Sequence, residues 1–343
     1  MTGIFLYYSK NGQFNPIELE KNADLLSHRG KMNESRFIRL NLYLKTFVNK
    51  AQKNNTNVAV SITDGALELG YSVIDGKILN ETEFRKSLPP QIPVSVDINT
   101  AVFLGYSHLG NELFTKIQGM YSIMIVNEQG IVIAKDPVGF NPLYVVNTDD
   151  FLIITSELKA LKGFEGTPKI LDPGFVYRYD FKTQTAEYSA FFPTVNFTKG
   201  RSLDKEDVEA IKSRIFNMLD NIVAKNIDVC CPVASLLSGG IDSAIICAIA
   251  QKYIPDLRVY TVAAEGSLDL KHAIEFVKKY PKLKHTVFNV TLNDLISVVK
   301  DVIFHLETFD AALIRSALPM YYLCSKIDKD IGEIGRASCR ERV

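Results

Sequence analysis

Residues 234–250, ASLLSGGIDSAIICAIA, place the residue types of an anion-binding loop between two apolar runs. The six positions from Ser238 to Ser243 hold two glycines, two hydroxyls and one carboxylate. Gly239 and Gly240 let the backbone turn sharply and approach a ligand without an intervening Cβ atom. A helix that follows such a turn offers free N–H groups and the positive end of its dipole. This Ser-Gly-Gly loop, residues 238–243, is therefore predicted to bind phosphate.

Asp242 distinguishes the Ser-Gly-Gly loop from a Walker A loop, whose Gly-Lys-Ser/Thr ending is missing. A carboxylate beside a phosphate is repulsive unless a cation such as Mg²⁺ lies between them. The residue types therefore predict a pyrophosphate group held through Mg²⁺, with Asp242 as the metal ligand. The alternative is a strand-to-helix turn without a ligand, capped by Asp242 or Ser243.

The elements around the Ser-Gly-Gly loop are expected to form a parallel sheet. From residue 207, helical stretches alternate with strands rich in β-branched residues, beginning with DVEAIKSRIFNMLDNIVA and ending with LNDLISVVKDVIFHL. Such alternation predicts βαβ units, and open parallel sheets bind ligands where their strands end. CPVASLL is the strand expected before the loop, and DSAIICAIAQKY is the helix expected after it.

The first half of the chain has a different pattern of predicted strands and helices. MYSIMIV, GIVIAKD, PLYVVNT and FLIITSE predict a meander of short strands separated by Asn, Gly, Pro and Asp. NVAVSI and YSVIDGKI predict further strands, and AVFLGYSHLGNELFTKI has the spacing of one helix. This half is therefore predicted to be α+β with antiparallel sheets.

Composition limits the classes of function. The chain has 343 residues, of which 47% are hydrophobic, and a formal net charge of zero. This length suits two domains, and the neutral balance argues against nucleic acid as a partner. The cysteines form no CxxC pair, and no signal peptide or membrane-spanning apolar run is evident. We expect a cytoplasmic protein without a membrane partner, and we interpret the five histidines as structural or surface residues.

LLSGGIDS resembles the pyrophosphate loop of the ATP pyrophosphatases, in particular of the glutamine-hydrolysing asparagine synthetases. GSLDLKHAIEFV and VIFHLETFDAALIRSALPMYYLCSKI are similar to later segments of that family, and HRG, QGMY, KDPVGFNPLY, SELKAL and DPGFVYRYD follow its order in the first half. The resemblance implies a glutamine amidotransferase type 2-like domain at residues 1–195, with the αββα sandwich of N-terminal-nucleophile (Ntn) hydrolases. A linker at 196–206 and an α/β parallel-sheet ATP-pyrophosphatase domain at 207–333 would follow.

The resemblance implies an ATP-dependent ligase that amidates aspartate. MgATP activates the aspartate side chain as an aspartyl-adenylate with release of pyrophosphate, and ammonia, free or derived from glutamine, then attacks. Arg315 corresponds to an arginine that steadies phosphate charge, although by itself it could equally form a surface ion pair. The resemblance assigns pyrophosphate binding to Ser238, Gly239, Gly240, Asp242 and Ser243, Mg²⁺ to Asp242, and nucleotide contacts to Leu236 and Val262. A homodimer is also expected.

The first half departs from the family at its nucleophile. The family begins Met-Cys-Gly, and the processed cysteine uses its own α-amine as the base, whereas MTGIF places Thr2 at that position. The family's Asn-Gly-Glu, which holds the amino-acid head of glutamine, aligns with Asp75-Gly76-Lys77, and this reverses the charge pattern. Thr2 is the candidate nucleophile by position, but we expect that the glutaminase step is lost. The alternative is a working threonine glutaminase.

The second half departs at the family's Thr-Thr pair, which reads Ala312-Leu313 and removes two hydroxyls near the acceptor carboxylate. Three interpretations stay open. The first is an ammonia-using asparagine synthetase-like ligase, which the intact loop together with Thr2 favours. The second is a related enzyme that adenylates another carboxylate, of the β-lactam or ring-forming synthetase type. The third is a non-catalytic homologue.

Residues 334–343, IGRASCRERV, follow no apolar pattern and back-translate to one frame of a widely used sequencing adapter. We expect this segment to be adapter-derived and not part of the fold. The family's next segment, SGEG.DE, would follow at Gly332 and would complete the nucleotide and aspartate site, but it is absent from the sequence. We therefore expect the synthetase domain to be truncated and this chain to be inactive.

Overall fold

The computed structural model describes residues 2–12, 14–30, 32–39, 41–48, 60–64, 67–193, 205–227, 233–264, 266–327 and 333–335. The chain divides into two compact units, Met1–Phe197 and Thr198–Val343. Most of the predicted linker lies outside the described residues, and the first helix of the second unit begins at Lys205. Among the described residues, no helix is both long and apolar enough to cross a membrane.

The described part of the first unit contains two six-stranded antiparallel sheets. Its strands are β1 (Gly3–Ser9), β2 (Met32–Arg39), β3 (Leu42–Val48), β4 (Val60–Asp64), β5 (Leu67–Ile78), β6 (Gly119–Asn127), β7 (Gly130–Lys135), β8 (Tyr144–Asn147), β9 (Phe151–Thr155), β10 (Lys169–Ile170), β11 (Phe175–Asp180) and β12 (Ala186–Ala190). The first sheet has the order β10-β8-β9-β1-β3-β2, and the second has the order β12-β11-β7-β6-β5-β4.

The two sheets pack face to face because alternate residues of each strand point to opposite faces. From β1, Leu6 points into a core that both sheets share and that also contains Val73 of β5. Its neighbour Phe5 points outward and packs with Leu19 of α1 (Pro16–Asp24). The outer face of the second sheet is covered by α2 (Glu81–Lys86), α3 (Ile98–Leu109) and α4 (Glu112–Thr115). These layers form the predicted αββα sandwich.

Two details of the first unit differ from the sequence patterns. The single helix predicted over residues 101–117 is two helices, α3 and α4, because Gly110 ends α3 with a φ of +56°. The patterns also did not predict β2, β3, β10, β11 and β12, nor the first strand, β1. All seven of its residues are buried, so the strand lacks the alternation of apolar and polar residues that marks a half-exposed strand.

The second unit contains the predicted parallel sheet, with the strand order β15-β14-β13-β16 among the described residues. Its elements are α5 (Lys205–Asn226), β13 (Val233–Leu236), α6 (Ile241–Tyr253), β14 (Arg258–Ala263), α7 (Leu268–Lys279), β15 (Lys284–Asn289), α8 (Leu292–Ser297), α9 (Val299–Leu306), α10 (Ala311–Lys326) and β16 (Glu333–Gly335). Helices α5, α6 and α7 share a core with one face of the sheet, and α10 packs on the other face. The α/β prediction is confirmed.

Two details of the second unit also differ from the sequence patterns. The helix predicted over residues 292–306 is broken at Val298 into α8 and α9. The short strand β16 pairs in parallel with β13 and includes Ile334 and Gly335. These are the first two residues of the segment expected to be adapter-derived and outside the fold, so part of that segment does pair with the sheet. Residues 336–343 lie outside the described residues, and the adapter origin stays a prediction.

Candidate functional site

The Ser-Gly-Gly loop leaves the carboxyl end of β13 and leads into α6. Gly239 has a φ of +87°, and a Cβ atom there would lie 2.1 Å from the carbonyl oxygen of Asp269 in the first turn of α7. Gly239 is therefore required both by backbone conformation and by the close approach of α7. Gly240 has an ordinary φ of −76°, and a Cβ atom there would meet only the Ser238 Oγ atom at 3.4 Å.

The two serines of the loop hold its shape. The buried Ser243 hydroxyl donates to the Gly240 carbonyl oxygen (2.9 Å) and accepts from the Ser238 N–H group (3.2 Å). Since a hydroxyl has one proton, the 3.0 Å contact between the two serine oxygens requires Ser238 to donate. Gly240 is the N-cap of α6, and no side chain caps it. The alternative of a turn capped by Asp242 or Ser243 is therefore not what the structure contains.

Asp242 is exposed in the first turn of α6. Its carboxylate has no hydrogen-bond or ion-pair partner among the residues that the structure describes. The described residues also contain no group of three or more His, Cys, Asp or Glu side chains that could hold a metal ion. Mg²⁺ often binds through one or two carboxylates together with phosphate oxygens and water. The donor set at this loop fits that kind of site and does not fit an all-protein metal cage.

Leu236 and Val262 lie on the face of the sheet that α10 covers, in a cluster with Met320 and Leu323 of α10. They lie near the carboxyl ends of the neighbouring strands β13 and β14, and the nucleotide contacts expected of them stay a prediction. Arg315 is also on α10 but is exposed, and its Nε–H group donates to the Ala311 carbonyl oxygen at 3.2 Å. Within the described ranges, no hydrogen bond or ion pair connects Arg315 to the loop, so a role there stays a prediction.

Two side chains that the sequence patterns did not assign to the site form hydrogen bonds that reach Leu237, the residue before the loop. The Thr261 hydroxyl of β14 donates to the Leu237 carbonyl oxygen at 2.7 Å. The Nε2 atom of His285 on β15 lies 2.8 Å from the same hydroxyl. The sequence contains only a weak indication that these two residues belong to the site, since a single threonine in an apolar strand is common and His285 belongs to no ligand motif.

In the first unit, Thr2 is fully buried beside a buried acid. The Thr2 backbone nitrogen donates to Asp75 Oδ1 at 2.5 Å, and Arg29 lies 3.4 Å from Asp75 Oδ2. Burial raises the pKa of the Asp75 carboxyl, and the Arg29 charge and the Thr2 N–H group offset part of that rise. Within the described part of the chain, the Thr2 hydroxyl has no hydrogen-bond partner.

Arg29 connects this acid to a second one, Glu157. The Glu157 carboxylate accepts from Arg29 Nε at 2.5 Å and from Lys159 Nζ at 2.5 Å, and it lies 3.1 Å from His28 Nε2. Burial alone raises the pKa of Glu157, but the hydrogen bond from His28, the Arg29 charge and the bond from Lys159 together hold it well below its usual range. The surroundings of Thr2 are thus a charge-paired cluster.

Comparison with known proteins identifies both halves. The glutamine amidotransferase domain family matches residues 66–163, and the asparagine synthase family matches residues 215–332. The glutamine-hydrolysing asparagine synthetase 2 of Lotus japonicus is 28% identical over 273 residues, which cover 76% of this chain and 45% of that protein. The glutamine-hydrolysing asparagine synthetase of Sandersonia aurantiaca is 30% identical over 278 residues, covering 76% of this chain and 50% of that protein.

Among solved structures, the glutamine phosphoribosylpyrophosphate amidotransferase from B. subtilis covers 96% of this chain and 95% of its own, with 13% identity and a TM-score of 0.45. The chain spans about half the length of the curated relatives it matches. The amidotransferase match contains Asp75, and the asparagine synthase match contains the Ser-Gly-Gly loop. The two matched domains therefore occur together and in the order that the sequence motifs predict. The two domain matches and the curated relatives together support the asparagine synthetase family as the family of this chain.

Proposed function

We propose that this chain carries the nucleotide site of an ATP-dependent amide-forming ligase and that the Ser-Gly-Gly loop holds the pyrophosphate part of MgATP. The observation that carries the proposal is the combination of a loop shaped by Gly239 with an Asp242 carboxylate, at the start of α6, that has no partner among the described residues. Both lie at the carboxyl end of a parallel strand, where sheets of this kind bind ligands.

Each part of the loop has a task in this proposal. The backbone N–H groups at the start of α6 donate to the phosphate oxygens that leave as pyrophosphate. The hydroxyls of Ser238 and Ser243 would join them only by leaving their present acceptors, the Ser243 hydroxyl and the Gly240 carbonyl oxygen. Asp242 and the phosphate oxygens hold Mg²⁺, which neutralises negative charge when bound. Leu236 and Val262 form the apolar wall at the nucleotide, and Arg315 would approach the phosphates only after leaving the Ala311 carbonyl oxygen.

The reaction proposed is the amidation of aspartate. An oxygen of the aspartate side-chain carboxylate bonds to the α-phosphorus of ATP, and the bond from that phosphorus to pyrophosphate breaks. Ammonia then attacks the acyl carbon of the aspartyl-adenylate, AMP leaves, and a proton is lost to give the amide. A protein of the relatives' full length is expected to be needed for this step, since the chain spans about half of them.

We also propose that ammonia is used directly and that glutamine is not hydrolysed. Thr2 replaces the family's cysteine, and the atom that would serve as its α-amine base donates to the buried Asp75 carboxylate. In this chain that nitrogen is the amide of the Met1–Thr2 peptide. After removal of Met1 it would be an amine, which an ionised Asp75 carboxylate at that distance would hold in its protonated form. A protonated amine cannot take the proton of the Thr2 hydroxyl, so the base required for an N-terminal nucleophile is lost.

One observation favours a second candidate function, in which the substrate that is adenylated is a carboxylate other than aspartate. The first turn of α10 presents Ala312 and Leu313 to the exterior, and Leu313 is 47% exposed. This turn therefore offers no hydroxyl to a polar acceptor, which would suit a carboxylate with an apolar portion. Pyrophosphate release measured with aspartate and with a panel of other carboxylates separates the two acceptors.

Binding of inorganic pyrophosphate in the presence of Mg²⁺, measured by calorimetry on the 343-residue chain, tests the nucleotide site. Asp242→Asn should weaken binding by about 10- to 100-fold, since a charge-assisted contact contributes roughly 1.5–3 kcal/mol. Asp220→Asn is the matched control, because Asp220 pairs with Lys252 away from the loop. Absence of binding by the wild-type chain, or equal effects of the two substitutions, would contradict the proposal.

A further inference from the structure

A series of hydrogen bonds connects three neighbouring strands and reaches Leu237, the residue before the Ser-Gly-Gly loop. His285 lies on β15, Thr261 on β14, and Leu237 is the first residue after β13. Leu237 is held on both sides, because its N–H group donates to the Tyr260 carbonyl oxygen at 2.8 Å and its carbonyl oxygen accepts from Thr261 at 2.7 Å. Thr261 is 2% exposed, so water does not compete for this bond.

The direction of the hydrogen bonds follows from proton count. The Thr261 hydroxyl has one proton and donates it to the Leu237 carbonyl oxygen. The 2.8 Å contact between Thr261 and His285 therefore requires the Nε2–H group of His285 to donate. Burial lowers the pKa of His285, and the neutral ring with its proton on Nε2 satisfies this arrangement.

The consequence for the loop lies in the next peptide group. In a trans peptide the carbonyl oxygen and the following N–H group point in opposite directions within one plane. The hydroxyl of Thr261 holds the Leu237 carbonyl oxygen toward β14, and it thereby turns the Ser238 N–H group toward the inside of the loop. There this N–H group donates to the Ser243 hydroxyl oxygen at 3.2 Å, a contact that a phosphate oxygen would replace.

We propose that Thr261 and His285 are positioning residues that orient the Ser238 N–H group as a phosphate donor. This rests on the proposed function of the loop, because the donor matters only if an anion binds there. Neither side chain needs to touch the ligand. Without the Thr261 hydroxyl, the peptide between Leu237 and Ser238 is free to rotate, and the loop loses one preorganised donor.

A ligand-independent measurement tests the orientation of the peptide. Amide hydrogen exchange at Ser238, followed by NMR on the full chain, should be about tenfold faster in Thr261→Val and unchanged in Thr261→Ser. Thr286→Val is the matched control, because Thr286 is exposed on β15 of the same sheet. The wild-type ring of His285 should show the nitrogen chemical shifts of the Nε2–H form. Two results would overturn the proposed orientation of the peptide: equal exchange at Ser238 in Thr261→Val and Thr286→Val, or a His285 ring with its proton on Nδ1.

A second measurement tests the consequence for binding. Affinity for inorganic pyrophosphate with Mg²⁺ should fall about tenfold in Thr261→Val, which corresponds to about 1.4 kcal/mol. Thr261→Ser should restore it, and His285→Gln, which keeps a donor, should weaken binding less than His285→Phe. If the wild-type chain binds pyrophosphate and Thr261→Val binds it with the same affinity, the positioning role is overturned and the proposed function stands. If the wild-type chain does not bind pyrophosphate, the proposed function and the positioning role are both overturned. The hydrogen-exchange result then still decides whether Thr261 and His285 orient the peptide.

Discussion

Substitution of three glycines by alanine in the second unit separates two physical requirements of the Ser-Gly-Gly loop. Gly239 combines a φ of +87° with a site where Cβ would lie 2.1 Å from a backbone oxygen. Gly266 has a similar φ of +79°, but no atom lies within 4 Å of its Cβ position. Gly240 has a φ of −76°, and the nearest atom to its Cβ position is the tip of a serine at 3.4 Å.

The expected costs differ for each glycine. An alanine in the left-handed region costs roughly 1–2 kcal/mol, so Gly266→Ala should lower the free energy of unfolding by that amount. Gly239→Ala adds an overpacking cost of about 1–3 kcal/mol, since the backbone of α7 at Asp269 must move. Its total is therefore about 2–5 kcal/mol. Gly240→Ala should change the free energy of unfolding by less than about 1 kcal/mol, because the restriction of the unfolded chain by alanine is opposed by the loss of a glycine at the N-cap of α6.

Hydrogen exchange followed by mass spectrometry is the appropriate assay, because the chain contains no tryptophan and has two units. Peptides that cover β13 and α6 report the local free energy of opening. Gly239→Ala should lower their protection by about 30-fold or more, since each 1.4 kcal/mol corresponds to about tenfold. Equal protection in the Gly239→Ala and Gly240→Ala variants would refute the argument that α7 and the loop meet at Gly239.

Two further predictions concern the first unit. Glu157→Gln removes the carboxylate that Arg29 and Lys159 share, while Arg29 keeps its pair with Asp75, and it should cost about 3 kcal/mol at pH 7, or roughly 10 °C in the melting temperature of this unit. The control Glu112→Gln, in an exposed helix pair, should change the melting temperature by about 3 °C or less. Because the folded-state pKa of Glu157 is lowered, its contribution is present above the unfolded pKa of about 4.3 and is lost as the pH falls through the folded value. Calorimetry from pH 3 to pH 8 should show the difference between wild type and Glu157→Gln shrinking below about pH 4, and a constant difference would contradict the assignment. For the nucleophile position, Thr2→Cys should release no glutamate from glutamine while Asp75 is present, and measurable release by this variant would show that Asp75 does not block the site.

Much of the second unit could be predicted from sequence because its signals are local. The turn between β13 and α6 depends on Gly239 and on the apolar runs on either side of it, all within a few residues. Strand and helix alternation likewise follows from the period of apolar residues. The breaks at Gly110 and Val298 were missed because an apolar helical pattern continues across each of them. At Gly110 the left-handed backbone of the glycine ends the helix.

The antiparallel α+β class of the first unit and the parallel α/β class of the second follow from residue types and spacing alone, whereas the αββα layering was implied by the family resemblance. Only the tertiary structure brings Thr2 to Asp75 across 73 positions of sequence, and Leu237 to Thr261 across 24. Sheet register also creates the contact between Thr261 and His285. The pairing of β14 with β15 sets Val259 opposite His285, which brings the His285 ring within reach of the Thr261 hydroxyl. A one-residue change of register would turn those side chains to the other face of the sheet, and no short stretch of sequence specifies which register the strands adopt.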